Sequence, residues 1–144
     1  MIVFLAISTV AVWRLALDDG KVTIEDILKV LHNGKVLNIE KKVNKGVTGL
    51  EKEACNRFRL TEDDIKRIWA RSHLVTDEEY VMLYQSLPCD VYGEVENAGI
   101  RLKFAVNAGA TTVLFLDNKK ELKLGCGQEC NDILDFGLYR DPQL

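Results

Sequence analysis

The sequence lacks the residue patterns from which metal centres and catalytic sites are usually built. Only two histidines occur in 144 residues, and no two cysteines have the CxxC spacing. Structural zinc sites need four nitrogen or sulfur ligands, which are commonly supplied as close pairs. His32 and His73 stand alone, with no partner at ligand spacing and no cysteine beside them that would suggest a nucleophile and its base. We therefore expect no catalytic constellation, no metal and no cofactor.

An excess of positive charge is also absent. The formal net charge is −3, and the sequence pI is about 5.4. Nucleic-acid binding needs concentrated Lys and Arg to neutralise phosphates, so nucleic acid is not an expected partner. An acidic balance instead permits a basic protein partner.

The charge is unevenly distributed along the chain. Residues 35–59 contain seven bases and three acids, whereas residues 61–79 contain six acids and three bases. The seven bases are Lys35, Lys41, Lys42, Lys45, Lys52, Arg57 and Arg59. The six acids are Glu62, Asp63, Asp64, Asp77, Glu78 and Glu79. Adjacent residues on a helix diverge by about 100°, so these acids fit helix capping better than acid–base chemistry. They are also the candidate surface for a basic partner.

Long apolar runs are confined to the N terminus. Residues 1–17 are largely apolar, with Arg14 as their single charge, and the first thirteen carry no charge. The run has the length of a signal-peptide core, but no Lys or Arg precedes it and no small-x-small cleavage site is clear. It is too short to span a bilayer, which takes about 20 apolar residues. A buried strand or helix is the other interpretation, so membrane contact is expected only if residues 1–17 act as a signal or anchor. The compartment stays open between bacterial cytoplasm, which we prefer, and periplasm or envelope.

No Pro-, Gly- or Ser-rich linker divides the chain, and its length is typical of one domain. We expect a single α+β domain over residues 1–144. Its N-terminal half should be helical, packed on a C-terminal antiparallel β-meander of about four strands.

Helix starts in the first half are marked by a Thr followed three residues later by an acid. Thr23, Thr61 and Thr76 each begin such a capping box. The first predicts a helix that ends at Gly34, and the second predicts a helix to about Ser72. The third predicts a helix over residues 77–86, although Tyr80-Val-Met-Leu-Tyr is also good strand material. A short strand over 35–43 and a short helix over 50–58 complete this half.

After Pro88 the pattern changes to alternation with a period of two residues, separated by turn residues. In residues 100–106 the apolar side chains share one face and Arg101 and Lys103 share the other, which is typical of a sheet with one wet side. A short terminal helix is expected over residues 129–136. The predicted strands are 91–96, 100–106, 112–116 and 121–124.

Cysteine is the least explained residue type. The sequence contains four cysteines: Cys55, Cys89, Cys126 and Cys130. An even number fits two disulfides in an exported protein or reduced thiols in a cytosolic one. A Cys55–Cys89 bridge would close a long loop and stabilise the fold by about 3 to 4 kcal/mol through loop-closure entropy. A bridge from Cys89 to Cys126 across the sheet edge is also plausible, so the pairing stays open.

The last third of the chain carries a resemblance. It reads Cys89-Asp-Val-Tyr-Gly-Glu, Ile100-Arg-Leu-Lys-Phe, Asn107-Ala-Gly-Ala-Thr and Leu124-Gly-Cys, followed by Cys130. This run resembles small exported bacterial proteins in which a β-meander carries an Asn-Ala-Gly turn and late cysteines. Some of them are immunity proteins for contact-dependent growth-inhibition toxins. The resemblance implies a binding protein that neutralises a toxin by occluding it. The alternative is a small disulfide-stabilised envelope protein with a structural role.

Overall fold

The computed structural model describes residues 22–116 and 119–134. The apolar segment 1–17 lies outside these residues, so both interpretations of it stay predictions. The helices are α1 (Ile24–Asn33), α2 (Gly49–Arg57), α3 (Glu62–Arg71) and α4 (Asp77–Leu83), with a 3₁₀ turn at Gln128–Cys130. The strands are β1 (Lys35–Val43), β2 (His73–Leu74), β3 (Cys89–Asn97), β4 (Ile100–Asn107), β5 (Thr111–Phe115) and β6 (Glu121–Gly125). The α+β class and the helical first half are confirmed.

Each predicted capping box forms and begins a helix. The hydroxyls of Thr23, Thr61 and Thr76 accept the backbone N–H three residues on, and the acid there accepts the N–H of the Thr. These bonds satisfy two of the donors that a helix start leaves unpaired. The ambiguous segment after Thr76 is therefore a helix, and it ends at Leu83 rather than at residue 86.

The sheet is antiparallel throughout, in the order β1-β3-β4-β5-β6-β2. The four meander strands are confirmed, but the expected total of about four strands was too low, because the described residues form a sheet of six. β1 adds to the outer side of β3, and the short β2 adds to β6. A two-residue strand is too short to show alternation, which explains why the sequence did not predict β2.

One face of the sheet, here called the inner face, is buried under α1 and α3. Ile65, Ile68 and Trp69 of α3 are buried there, and the Trp69 ring meets the edge of Phe104 at 4.9 Å between centroids. The Trp69 indole N–H donates to Thr112 Oγ1 at 3.3 Å, so its polar group is satisfied inside the core. Burying each large apolar side chain contributes about 1.5–3 kcal/mol.

Among the residues that the structure describes, the opposite, outer face is covered at one end only. There Lys123 Nζ of β6 lies 2.6 Å from Asp77 Oδ1 of α4, and a Cβ at Gly125 would meet the ring of Tyr84. Asn107 fixes the segment that follows α4, since its amide donates to Leu87 O at 2.7 Å and its oxygen accepts from Leu87 N at 2.9 Å. Buried polar groups of this kind are costly unless they are fully hydrogen-bonded.

The terminal helix expected over 129–136 was wrong within the described residues. The chain forms a 3₁₀ turn at Gln128–Cys130 and then a turn to Ile133, and residues 135–136 lie outside the description. A disulfide between Cys126 and Cys130 closes this short loop. Leu134 is buried in the core and Ile133 packs against it, so the apolar residues at 133–134 reach the core from a turn rather than from a helix. In the part of the chain that the structure describes, no helix is long and apolar enough to cross a bilayer.

The caps of α3 and α2 provide a matched pair of variants. The Thr61 hydroxyl accepts a helix N–H, whereas Thr48, the N-cap of α2, makes no side-chain cap bond. We expect Thr61→Ala to lower the free energy of unfolding by about 1 kcal/mol, and Thr48→Ala to have a much smaller effect. Urea unfolding of both variants measures this difference. Equal losses would show that the cap bond at Thr61 contributes little.

Candidate binding surface

All four cysteines are joined in disulfides, Cys55 to Cys89 and Cys126 to Cys130. The first bridge ties α2 to the start of β3, and the second closes the turn after β6. All four residues are buried. The alternative bridge from Cys89 to Cys126 does not form. The thiols are thus consumed structurally, and none remains as a nucleophile in this oxidised form.

The two histidines lie on different elements of the fold. His32 lies in the last turn of α1, where its backbone carbonyl accepts a hydrogen bond from Lys66 Nζ at 3.1 Å. His73 is exposed and begins β2. In residues 22–116 and 119–134, no group of three or more His, Cys, Asp or Glu residues is placed to hold a metal ion.

Four of the six candidate partner-binding acids have partners within the protein. Asp64 and Glu79 close capping boxes, and Asp64 also accepts from Arg67 Nη2 at 2.6 Å. Asp77 pairs with Lys123. Glu62 has a role that the sequence did not suggest, because its Oε1 accepts the backbone N–H of Val36 at 3.2 Å.

The pKa of Asp64 is lowered chiefly by the hydrogen bond from the Thr61 backbone N–H, and further by Arg67, against a smaller opposing effect of burial. Its carboxylate is therefore held ionised by the fold. Asp63 and Glu78 differ, since both are exposed and neither side chain bonds to another described residue. Of the six candidates, these two keep their charge fully available to a partner.

The uncovered part of the outer sheet face presents aromatic and charged side chains. Tyr92 of β3 and Phe115 of β5 line a shallow cleft of about 420 Å³ together with Lys103. Arg101 neutralises its neighbours by approaching Glu94 at 3.2 Å and Glu96 at 3.1 Å. A mixed, internally paired face of this kind suits a protein contact better than a highly charged ligand.

A second cleft, of about 430 Å³, lies between α1 and α3. Leu28 contributes to it and is 44% exposed, while Trp69 forms part of its lining and is almost fully buried. His32 and Arg67 also border this cleft. Its lining is largely apolar, so it adds a hydrophobic recess to the helical side of the molecule.

The outer edge of β1, which pairs with no other strand in residues 22–116 and 119–134, is the third exposed feature, and the sequence did not predict it. The alternation over 35–43 is imperfect because the register of β1 against β3 shifts between Leu37 and Glu40. Asn38 takes a left-handed conformation there, with φ of 57°, as Asn tolerates better than most residues. The broken alternation was the available signal for this β-bulge.

Comparison with protein-family models, with curated proteins and with solved structures finds no match to this chain. The resemblance of the C-terminal third to small exported bacterial proteins therefore stays a prediction.

The two disulfides should differ in their contribution to stability. Cys55 and Cys89 are 34 residues apart, whereas Cys126 and Cys130 are four apart. Loop-closure entropy gives about 4 kcal/mol for the longer loop and about 2 kcal/mol for the shorter one. We expect the double variant Cys55→Ser/Cys89→Ser to lose about twice the unfolding free energy lost by Cys126→Ser/Cys130→Ser.

Guanidinium unfolding of the oxidised variants measures this ratio. Wild type that has been reduced and alkylated is the reference for losing both bridges together. A larger loss from the short loop would contradict the entropic account.

Proposed function

We propose that this protein is a non-enzymatic binding domain that works in an oxidising compartment such as the bacterial envelope. The observation that carries the proposal is the complete pairing of its cysteines into two buried bridges. Disulfides persist in exported proteins and are rare where glutathione and thioredoxin keep thiols reduced. This supports the envelope over the cytoplasm that the sequence alone favoured.

Binding rather than turnover is supported by the roles that the chemically capable groups already have. The cysteines form structural bridges, and the acids at the starts of α3 and α4 cap helices or pair with bases. Three surfaces are available for contact with another molecule. They are the outer sheet face with Tyr92 and Phe115, the recess beside Leu28, and the edge of β1. Each of these is open and shallow, as protein-recognition surfaces are.

A narrower form of the proposal is that the partner is a basic toxin which the protein neutralises by occlusion. The sequence resemblance suggests it, and the unpaired carboxylates of Asp63 and Glu78 give it a physical basis. Acidic side chains that lack internal partners steer a basic protein toward the surface and set the rate of association.

The compartment can be tested by counting thiols in native material. Protein isolated from the envelope fraction in the presence of an alkylating agent should show no modified cysteine, because all four are bridged. Reduction under denaturing conditions should then release all four. Mass spectrometry of intact protein gives both counts, and crosslinking in the same fraction should capture a protein partner. Four reactive thiols in the native material would refute the oxidising compartment.

The toxin hypothesis predicts a charge effect separate from stability. The double variant Asp63→Asn/Glu78→Gln should slow association with the basic product of a neighbouring toxin gene. Stability should fall only by the lost attraction of each acid to its helix N terminus, about 0.3–1 kcal/mol per residue, since neither side chain bonds to another described residue. Glu51→Gln/Glu53→Gln on α2 is a matched control with the same change of charge at exposed positions. Biolayer interferometry at low and high salt measures the rates. Equal effects of both variants, or no salt-sensitive complex, would refute this narrower form.

A further inference from the structure

The edge of β1 offers unused backbone hydrogen-bonding groups, and their positions follow from the ladder. Asn44 N donates to Pro88 O at 2.8 Å, which fixes the phase of the pairing between β1 and β3. In an antiparallel pair, residues alternate between those that bond to the partner strand and those that point away from it. Lys42 therefore bonds to β3, while Lys41 and Val43 direct their N–H and C=O groups away from it.

In the first half of β1, one backbone group that points away from β3 has a hydrogen-bond partner on another element. Val36 also points away from β3, and its N–H is taken by the Glu62 carboxylate at the start of α3. Beyond the bulge, no described strand pairs with β1 on that side. Ile39 and Val43 are 40% and 41% exposed, so this stretch presents apolar side chains as well as free backbone groups.

A small recess of about 150 Å³ lies directly under this stretch. It is lined by Ile39, Lys41, Arg59, Leu60 and Val91. The side chains of an added strand would alternate in direction, so every second one would point toward the recess. Strand addition with pockets for alternate side chains is a recurring mode of peptide recognition.

The charge of the β1 edge determines which kind of partner strand it attracts. β1 carries Lys35, Lys41 and Lys42 against Glu40, and Arg59 borders the recess. Lysines and bulges on an edge strand protect against pairing with another copy of the same edge, because two basic edges repel each other. They attract an acidic strand instead.

We infer that the edge of β1 over residues 39–43 binds an extended acidic segment of a partner protein, with an apolar side chain seated in the recess beside Arg59. The inference rests on the proposed binding function and names its surface. It places recognition on the basic edge rather than on the acidic helix starts. A basic partner would contact the exposed acids at the helix starts instead, so the two forms of the proposal can be separated by experiment.

The test uses a synthetic eight-residue peptide in which valine alternates with glutamate and threonine, titrated into the ¹⁵N-labelled full chain with its disulfides intact. We expect slowed hydrogen exchange at the Lys41 and Val43 amides, with little change on the outer sheet face. A lysine-for-glutamate version and a version N-methylated at alternate residues should each bind at least about tenfold more weakly, from lost charge attraction and lost backbone bonds.

Protein variants complete the test. Lys41→Pro removes an outward N–H that the ladder does not use, together with the bond that Lys41 Nζ donates to Cys55 O at 3.1 Å. It should weaken peptide binding by about tenfold relative to Lys41→Ala, which loses the side chain but keeps the N–H. Lys42→Pro removes a ladder donor and is expected to lower the melting temperature. If Lys41→Pro itself fails to fold, Arg59→Glu reverses a charge at the recess, and Lys120→Glu on the distant turn before β6 is its matched control.

Equal binding of the N-methylated peptide, no binding at millimolar peptide, or equal effects of Arg59→Glu and Lys120→Glu would overturn the inference. The broader function is judged separately by crosslinking. If wild type, Lys41→Pro and Arg59→Glu capture a partner equally, the β1 edge is not the binding surface, although the protein is still a binding protein. If Arg59→Glu abolishes capture of the partner and Lys120→Glu does not, the result would support both the inference about the β1 edge and the proposed binding function.

Discussion

The packing of α3 against the inner face of the sheet is the contact on which the other elements depend. Trp69 fixes the distance between α3 and the sheet, because its ring lies against Phe104 and its indole N–H donates to Thr112. From that position α3 supports α1 along one side. At its end Arg71 pairs with Asp132 at 2.6 Å and holds the turn after β6. Its first residue, Glu62, reaches β1. One short helix thus positions both ends of the sheet.

The sequence was sufficient wherever structure is decided by neighbours along the chain. A Thr hydroxyl and an acid three residues later need nothing distant to form a capping box, so the starts of α1, α3 and α4 were predicted correctly. Alternation over residues 100–106 likewise fixes which side of β4 is buried. The meander followed because its strands are joined by short turns.

Features that depend on distant pairing could not be predicted in the same way. The partner of β1 lies more than forty residues on, and its register changes at Asn38. The choice of Cys89 as the partner of Cys55 depends on where α2 rests, which no local pattern specifies. For the candidate surface, the six acids were found by their charge. The Glu62 carboxylate accepts a hydrogen bond from the backbone of β1. Of the six acids, only Asp63 and Glu78 lack a side-chain partner among the described residues.

The two edges of the sheet are unequal. β1 has nine residues, whereas β2 at the opposite edge has two. A protein that assembles into fibres by strand addition needs a pairing edge on each side of its sheet. Each molecule that is added then exposes a new edge for the next one. Of the two edge strands in residues 22–116 and 119–134, only β1 has the length to act as a template. The geometry therefore favours a complex of fixed stoichiometry over open-ended polymerisation, even at high local concentration.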